Sequence, residues 1–186
     1  MARALSNVVG FDDAPSRRGE AEAAVVGAVY AGTRFEGALT GAVARDGDDA
    51  AERLAALVLA SKWREHVQAV LLQGIALGGF NVVDVHALAA ALGRPVLVVA
   101  RRRPDLEAIR AALAHVPNGA AKWARLEAAG PMEPCAGVWV QRAGLGPDEA
   151  EATVRLHAHH GRIPEPLRAA HLIAGALATG QSRGRV

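Results

Sequence analysis

The stretch Leu71-Leu72-Gln73-Gly74-Ile75-Ala76-Leu77-Gly78-Gly79-Phe80-Asn81-Val82-Val83-Asp84 constrains the fold more than any other part of the chain. It includes the end of an apolar run, Ala69 to Leu72, that reads as a short buried strand. Successive apolar residues can all be covered only when both faces of a sheet are packed. The run stops at Gln73-Gly74, passes through a glycine-rich turn and is expected to restart as a helix at Asn81. Strand, glycine-rich loop and helix form the unit with which open α/β sheets hold ligands at the carboxyl ends of their strands. Gly78-Gly79 permits close backbone approach, and Gln73, Asn81 and Asp84 add polar groups beside it. The spacings of a phosphate-loop lysine motif and of a dinucleotide fingerprint are both missing. The stretch marks a site without naming its ligand.

The rest of the chain supplies a sheet around this strand. Asn7 to Phe11, Ala23 to Tyr30 and Ala38 to Ala44 read as three strands, with an arginine turn at Arg17-Arg18 and a hairpin connection at Gly32 to Gly37. Asp48 or Asp49 can cap a helix carrying Leu54, Leu57 and Val58 on one face. Val85, Leu88, Ala89 and Leu92 line another helix, which Gly93 ends. Pro95 to Ala100 is a second buried strand, stopped by Arg101-Arg102-Arg103, and Pro104 opens a further helix. Ala120 to Ala129 reads as a short helix, Val138 to Gln141 as a late strand, and Pro147 starts a helix ending near His157, His159 and His160. The last helix, from about Pro166, is nearly all apolar and expected to be buried. Antiparallel strands followed by right-handed crossovers predict an α/β fold. The expectation is a ribonuclease-H-like mixed five-stranded sheet, its first three strands antiparallel, with helices on both faces and the first strand beside the fourth. One domain over residues 1–186 is expected, with a short basic tail at about 180–186.

Composition excludes several classes. A formal net charge of +2 does not demand a polyanion partner, and the bases are almost all arginine, Lys62 and Lys122 being the only lysines. Cys135 is the only cysteine, so it reads as a packing residue and not as part of a disulfide or thiolate metal cluster. No signal-like start and no run of membrane-spanning length occur, so a cytoplasmic chain without a membrane partner is expected. Oligomeric state is not legible.

Acidic residues follow three predicted strands or turns: Asp12-Asp13, Asp46 with Asp49, and Asp84. Carboxylates brought together repel unless a cation lies between them, and Mg²⁺ or Mn²⁺ held this way can ready a water for attack on a phosphodiester. Each residue also has a structural reading. Asp13 before Ala14-Pro15 suits a turn, as does Asp46-Gly47; Asp48 and Asp49 suit a helix cap, and Asn81 with Asp84 has capping-box spacing. Asp12, a charge directly after a buried strand, most needs a reason. The histidines at 157, 159 and 160 read as charges at a helix end, because only positions three or four apart share a face. His171 lies on a buried helix and reads either as a core histidine with one hydrogen bond or as a catalytic group. Arg183 and Arg185 read as a terminal tail or as nucleic-acid contacts.

Five segments together resemble a mainly archaeal family, the domain-of-unknown-function family ninety-nine. They are Val9 to Asp13, Asp46 to Ala50, Gly74 through Asp84, Pro164 to His171 and Gly180 to Arg185. That family is in turn similar to endonuclease V, a Mg²⁺-dependent nuclease acting near deaminated purines. The resemblance implies metal binding and catalysis by Asp12 and Asp46, with Asp84 as a further ligand, Arg101 at the phosphate and His171 as an orienting or proton-donating group. It implies a pocket built from Asp13, Asp49, Gln73, Gly74, Gly79, Phe80 and Asn81, with nucleic acid as partner and Mg²⁺ or Mn²⁺ as cofactor. The chain departs from the pattern in four places. Gln73 replaces a metal-binding aspartate, Arg101 replaces a lysine, and His171 stands where the enzyme has an acid; the Gly32 to Gly37 hairpin lacks the strand-separating wedge. A neutral amide can ligate through oxygen but supplies no charge. A non-cleaving binding module that has lost a ligand is the competing expectation.

Overall fold

The computed structural model describes residues 2–15 and 19–182. The expected turn at Arg17-Arg18 and the expected contacts of Arg183 and Arg185 lie outside the described residues. Among the described residues the main sheet has seven strands, not five. They are β1 (Asn7–Asp13), β2 (Glu22–Ala31), β3 (Arg34–Ala44), β4 (Ala69–Gln73), β7 (Val96–Ala100), β8 (Glu133–Cys135) and β9 (Val138–Ala143). Their order across the sheet is β3-β2-β1-β4-β7-β9-β8. The first three strands are antiparallel, and β4 lies parallel to β1 on one side and to β7 on the other. It follows that β1, β3, β4 and β7 all end at one edge of the sheet. The two strands beyond the expected five come from the β8–β9 hairpin, which extends the sheet antiparallel to β7. β8 has only three residues and carries Pro134 on the sheet's outer edge, where a missing N–H costs no ladder bond.

Alternation along the central strands divides the interior into two apolar layers. Val70 and Leu72 of β4 and Val96 and Val98 of β7 pack with α1 (Ala50–Leu59) and α2 (Val85–Leu92). Leu71, Leu97 and Val99 pack with α5 (Pro147–His157) and α6 (Glu165–Thr179). Helices therefore cover both faces, as continuous apolar strands require. Two further helices, α3 (Leu106–Leu113) and α4 (Gly119–Ala128), follow β7. Among the described residues no helix is long and apolar enough to cross a membrane.

The glycine-rich stretch is not the start of a helix. Ala76–Leu77 (β5) and Asn81–Val82 (β6) form a small hairpin, and α2 begins only after Asp84. Gly78 and Gly79 have φ of +55° and +82°, so the chain reverses before it can wind. His157 also differs from expectation. It is fully buried, with Nε2 3.0 Å from the Leu5 carbonyl, and burial pushes its pKa down. It anchors the amino-terminal segment as a neutral ring and does not act as a charge at a helix end.

Candidate active site at the ends of the first and fourth strands

Pleating sends the side chains of Asp12 and Asp13 to opposite faces of β1. On the α6 side, Gly10 makes the site. A Cβ there would lie 2.6 Å from the carbonyl carbon of Pro166, so only glycine lets the first turn of α6 rest on the strand. One turn later α6 brings His171 Nδ1 to 2.8 Å from Asp12 Oδ2, while Asp12 Oδ1 accepts the Asp13 N–H at 3.0 Å. Asp12 is 6% exposed. Burial pushes its pKa up to about 6, with the His171 bond opposing and the charge of Asp13 adding to the rise. Burial raises the Asp13 carboxyl as well, against the bond it receives from Gly78.

Gln73 ends β4 beside this pair. Phe11 is in register with Leu72, so Asp12 and Gln73 are the next positions on neighbouring parallel strands. Leu71 belongs to the α5–α6 layer, and alternation turns Gln73 to the same side, toward Asp12. Its Oε1 is buried and has no hydrogen-bond partner. A carboxylate and an unpartnered amide oxygen are hard oxygen donors of the kind Mg²⁺ and Mn²⁺ accept. Among the described residues, however, no three His, Cys, Asp or Glu side chains gather into a group that could hold a metal. The expected convergence of Asp12, Asp46 and Asp84 is therefore not seen.

Asp13 and Asp46 instead hold the β5–β6 turn. Asp13 Oδ2 accepts the Gly78 N–H at 3.0 Å, and Asp46 Oδ1 accepts the Phe80 N–H at 2.8 Å. The Asp46 N–H returns a bond to the Gly78 carbonyl at 2.9 Å. Asp46 itself has φ +50°, a left-handed conformation that Asp tolerates better than most residues. A Cβ on Gly79 would lie 2.4 Å from Asp46 Oδ1. The glycine pair thus makes room for a carboxylate of its own chain.

The remaining expected residues are structural or peripheral in this geometry. Asn81 is fully buried; its Nδ2 donates to the Ala44 carbonyl at 2.8 Å and to Asp49 Oδ1 at 2.7 Å, and its Oδ1 accepts the Ala50 N–H at 3.1 Å. Burial raises the Asp49 carboxyl, but the bonds from Asn81, Ala44 and Arg53 outweigh it and hold the pKa below the usual range. Asp84 caps α2 by accepting the Ala87 N–H at 2.9 Å, in place of a box begun by Asn81. Arg101 is exposed just past the end of β7, and Gly74 donates its N–H to the Val99 carbonyl at 2.9 Å. Sequence reasoning missed the role of Asp48. Asn118 Nδ2 donates to its Oδ2 at 2.7 Å; Lys122 Nζ and Arg125 Nη1 reach its Oδ1 at 3.1 and 2.7 Å. The available signal was Lys122, one of two lysines in the chain and fully buried on α4.

This architecture is the one seen in endonuclease V. The Ciona intestinalis enzyme, solved with a 24mer DNA containing an inosine followed by a ribo-adenosine, superposes with a TM-score of 0.57 at 16% identity. The match covers 91% of this chain and 87% of that one. A protein of unknown function from Archaeoglobus fulgidus gives a TM-score of 0.88 at 37% identity, covering 94% of this chain and 99% of that one. The chain belongs to the endonuclease dU family, whose profile matches residues 5–178. A UPF0215 protein of Deinococcus radiodurans is 55% identical over 183 residues, 97% of this chain and 93% of the relative. Relatives thus occur in bacteria as well as archaea.

Proposed function

We propose that this protein is a divalent-metal-dependent endonuclease that cuts DNA beside deaminated bases, deoxyuridine foremost. The observation that carries the reading is the buried Asp12 carboxylate on the strand next to the buried, unpartnered Gln73 Oε1. Mg²⁺ commonly takes one or two carboxylates, keeps waters and accepts phosphate oxygens, so a two-donor protein site suits it. Asp12 and Gln73 would hold Mg²⁺ or Mn²⁺, and the bound ion would supply an activated water and charge for the leaving oxygen. His171 fixes Asp12 through Oδ2. Asp46 and Asp13 keep the Gly78 to Phe80 turn against the strand ends, and Arg101 offers an exposed guanidinium to a phosphate. The family's description and the inosine-containing DNA bound by the Ciona enzyme support a deaminated base as the target.

Duplexes carrying one deoxyuridine, one deoxyinosine or no lesion test this directly. Nicking of lesion strands only, dependent on Mg²⁺ or Mn²⁺, is expected, with Asp12→Asn slower by about 100-fold or more. Equal rates for wild type and Asp12→Asn would remove the metal site from the mechanism. One observation favours a second reading: the neutral Gln73 leaves the site short of charge. A non-cleaving module would bind lesion DNA without nicking it, and calorimetric Mn²⁺ titration would give no heat that depends on Asp12.

A further inference from the structure

The two edges of the main sheet are finished in opposite ways. At one edge β8 has three residues and carries Pro134, so little is left for another strand to pair with. At the other edge β3 runs for 11 residues, and from Gly37 to Val43 it has no charge and no proline. The direction of its backbone groups follows from its carboxyl end. The Arg45 N–H bonds inward to the Ala21 carbonyl, whereas the Ala44 N–H bonds outward to Asp49 Oδ1. Alternation then turns the N–H and C=O groups of Ala38, Thr40 and Ala42 away from β2. Among the described residues none of these groups has a partner, and Ala38 and Thr40 are exposed. Asp49 and Asn81 already close Ala44, so the open ladder has a definite end. Open edges of this kind are templates for another strand, and folded proteins ordinarily blunt them.

We propose that β3 pairs antiparallel with β3 of a second copy of this chain, about a twofold axis at Thr40. Such a contact uses the same edge on both copies and closes at two chains. In this register Ala38 faces Ala42 of the second copy, and Thr40 faces its own counterpart. All of these pairs fall at hydrogen-bonding positions and give about six backbone bonds. Thr beside Thr is also a favourable cross-strand pair. On the α1 face, Leu39 falls opposite Gly41 of the second copy. Leu57 lies over that glycine, where a Cβ would sit 2.8 Å from Leu57 Cδ1. Leu39 and Leu57 are both only partly buried, and pairing covers them. At each end Arg34 and Glu36 come toward Asp46 and Arg45 of the second copy, so opposite signs meet. A foreign strand would match the ladder alone; a copy also matches the leucines and the charges.

Sedimentation of the full chain over a range of about 1 to 200 µM tests this, because an edge contact is at the small end of interface sizes and should be reversible. A dimer with Kd on the order of 10 µM is expected. Thr40→Lys sets like charges across the axis and should weaken it at least about tenfold. Thr40 is exposed and its backbone groups point away from β2, so the substitution should leave the fold intact. Hydrogen exchange in the wild type reads the same contact without a variant, so a folding defect in Thr40→Lys leaves the test decisive. The amides of Ala38, Thr40 and Ala42 should slow as the dimer forms. A chain that stays at 19.3 kDa throughout overturns the proposal. So does a dimer whose edge amides exchange as in the monomer, or one that a folded Thr40→Lys protein forms equally well. Protection that appears in a monomer only on adding lesion DNA would assign the edge to nucleic acid and overturn it too.

Discussion

Asp12 and Asp48 both lie at the edge where β1, β3, β4 and β7 end, and their environments are opposite. Asp48 receives Asn118, Lys122 and Arg125; the Asn118 bond leads, the two cations add to it against a burial penalty, and the carboxyl is held down at about 2. Asp12 is the more buried of the two, has one ionisable partner in His171, and is pushed up to about 6. The same functional group is thus saturated with donors in one place and left short of positive charge in the other. Saturation at Asp48 fastens α4 to the turn after β3. The shortfall at Asp12 is what an incoming cation would fill. Gln73 Oε1 and Gln141 Oε1 repeat the pattern with neutral groups, since both are buried acceptors without a donor near the same strand ends.

The largest expected effect breaks the saturated side. Asp48→Ala leaves the Lys122 ammonium fully buried without its carboxylate. Removing one partner of a buried pair costs ~3–5 kcal/mol, and because Asp48 is 31% exposed the lower end, about 3 kcal/mol, is expected in urea unfolding. The pH dependence has a definite sign. The folded pKa of about 2 lies below the unfolded value of about 3.9, so this stabilisation is present above pH ~4 and is lost as pH falls toward 2. A wild-type acid-unfolding profile that matches that of Asp48→Ala would refute the contribution.

Next in size is the contact that makes the Asp12 side. Gly10→Ala puts a methyl group into the backbone of Pro166 and Leu167, which lie 2.6 and 2.8 Å from the added carbon. Overpacking of this kind costs about 2 kcal/mol, and the route to relief is displacement of α6. The His171–Asp12 bond should lengthen with it, so lesion nicking should fall further than stability alone explains. Full activity in a destabilised Gly10→Ala protein would show that His171 need not touch Asp12.

Much of this could be read from residues in order, and the failures have a common cause. The continuous apolar runs before Gln73 and before Arg101 identified two doubly covered strands, and a charge ending a buried strand singled out Asp12. The antiparallel start and the neighbouring of first and fourth strands followed from turn signals and crossover handedness. The misreadings arose where a partner distant in sequence decides. Gly78 to Phe80 became a hairpin turn because Asp13, 65 residues away, and Asp46, 34 residues away, bind its amides. Asp48 meets Lys122 across 74 residues, and His157 meets Leu5 across 152. Gln141 ends a run that reads simply as a strand, and its unpaired oxygen is visible only once Gly130 has taken the amide's other end.

The smallest expected effect has the opposite sign to the first. Asp12 binds its proton up to about pH 6 when folded but only to about 3.9 when unfolded, so folding takes up a proton between these values. Stability in the presence of chelator should therefore fall as pH rises from 4 to 6, the reverse of the trend at Asp48. The shift corresponds to at most about 3 kcal/mol at neutral pH, at about 1.4 kcal/mol per unit, and the loss of the His171 bond offsets much of any gain on neutralising the group. Asp12→Asn is expected to be about 1 kcal/mol more stable than wild type at pH 7 in chelator, with the difference gone at pH 4, where Asp12 is already neutral. Added Mg²⁺ or Mn²⁺ should stabilise wild type and leave Asp12→Asn unchanged, closing the gap. Thermal unfolding with and without the ion measures all three conditions. If Asp12→Asn is less stable than wild type at pH 7 without metal, Asp12 is a structural acid like Asp48, and the contrast between them fails.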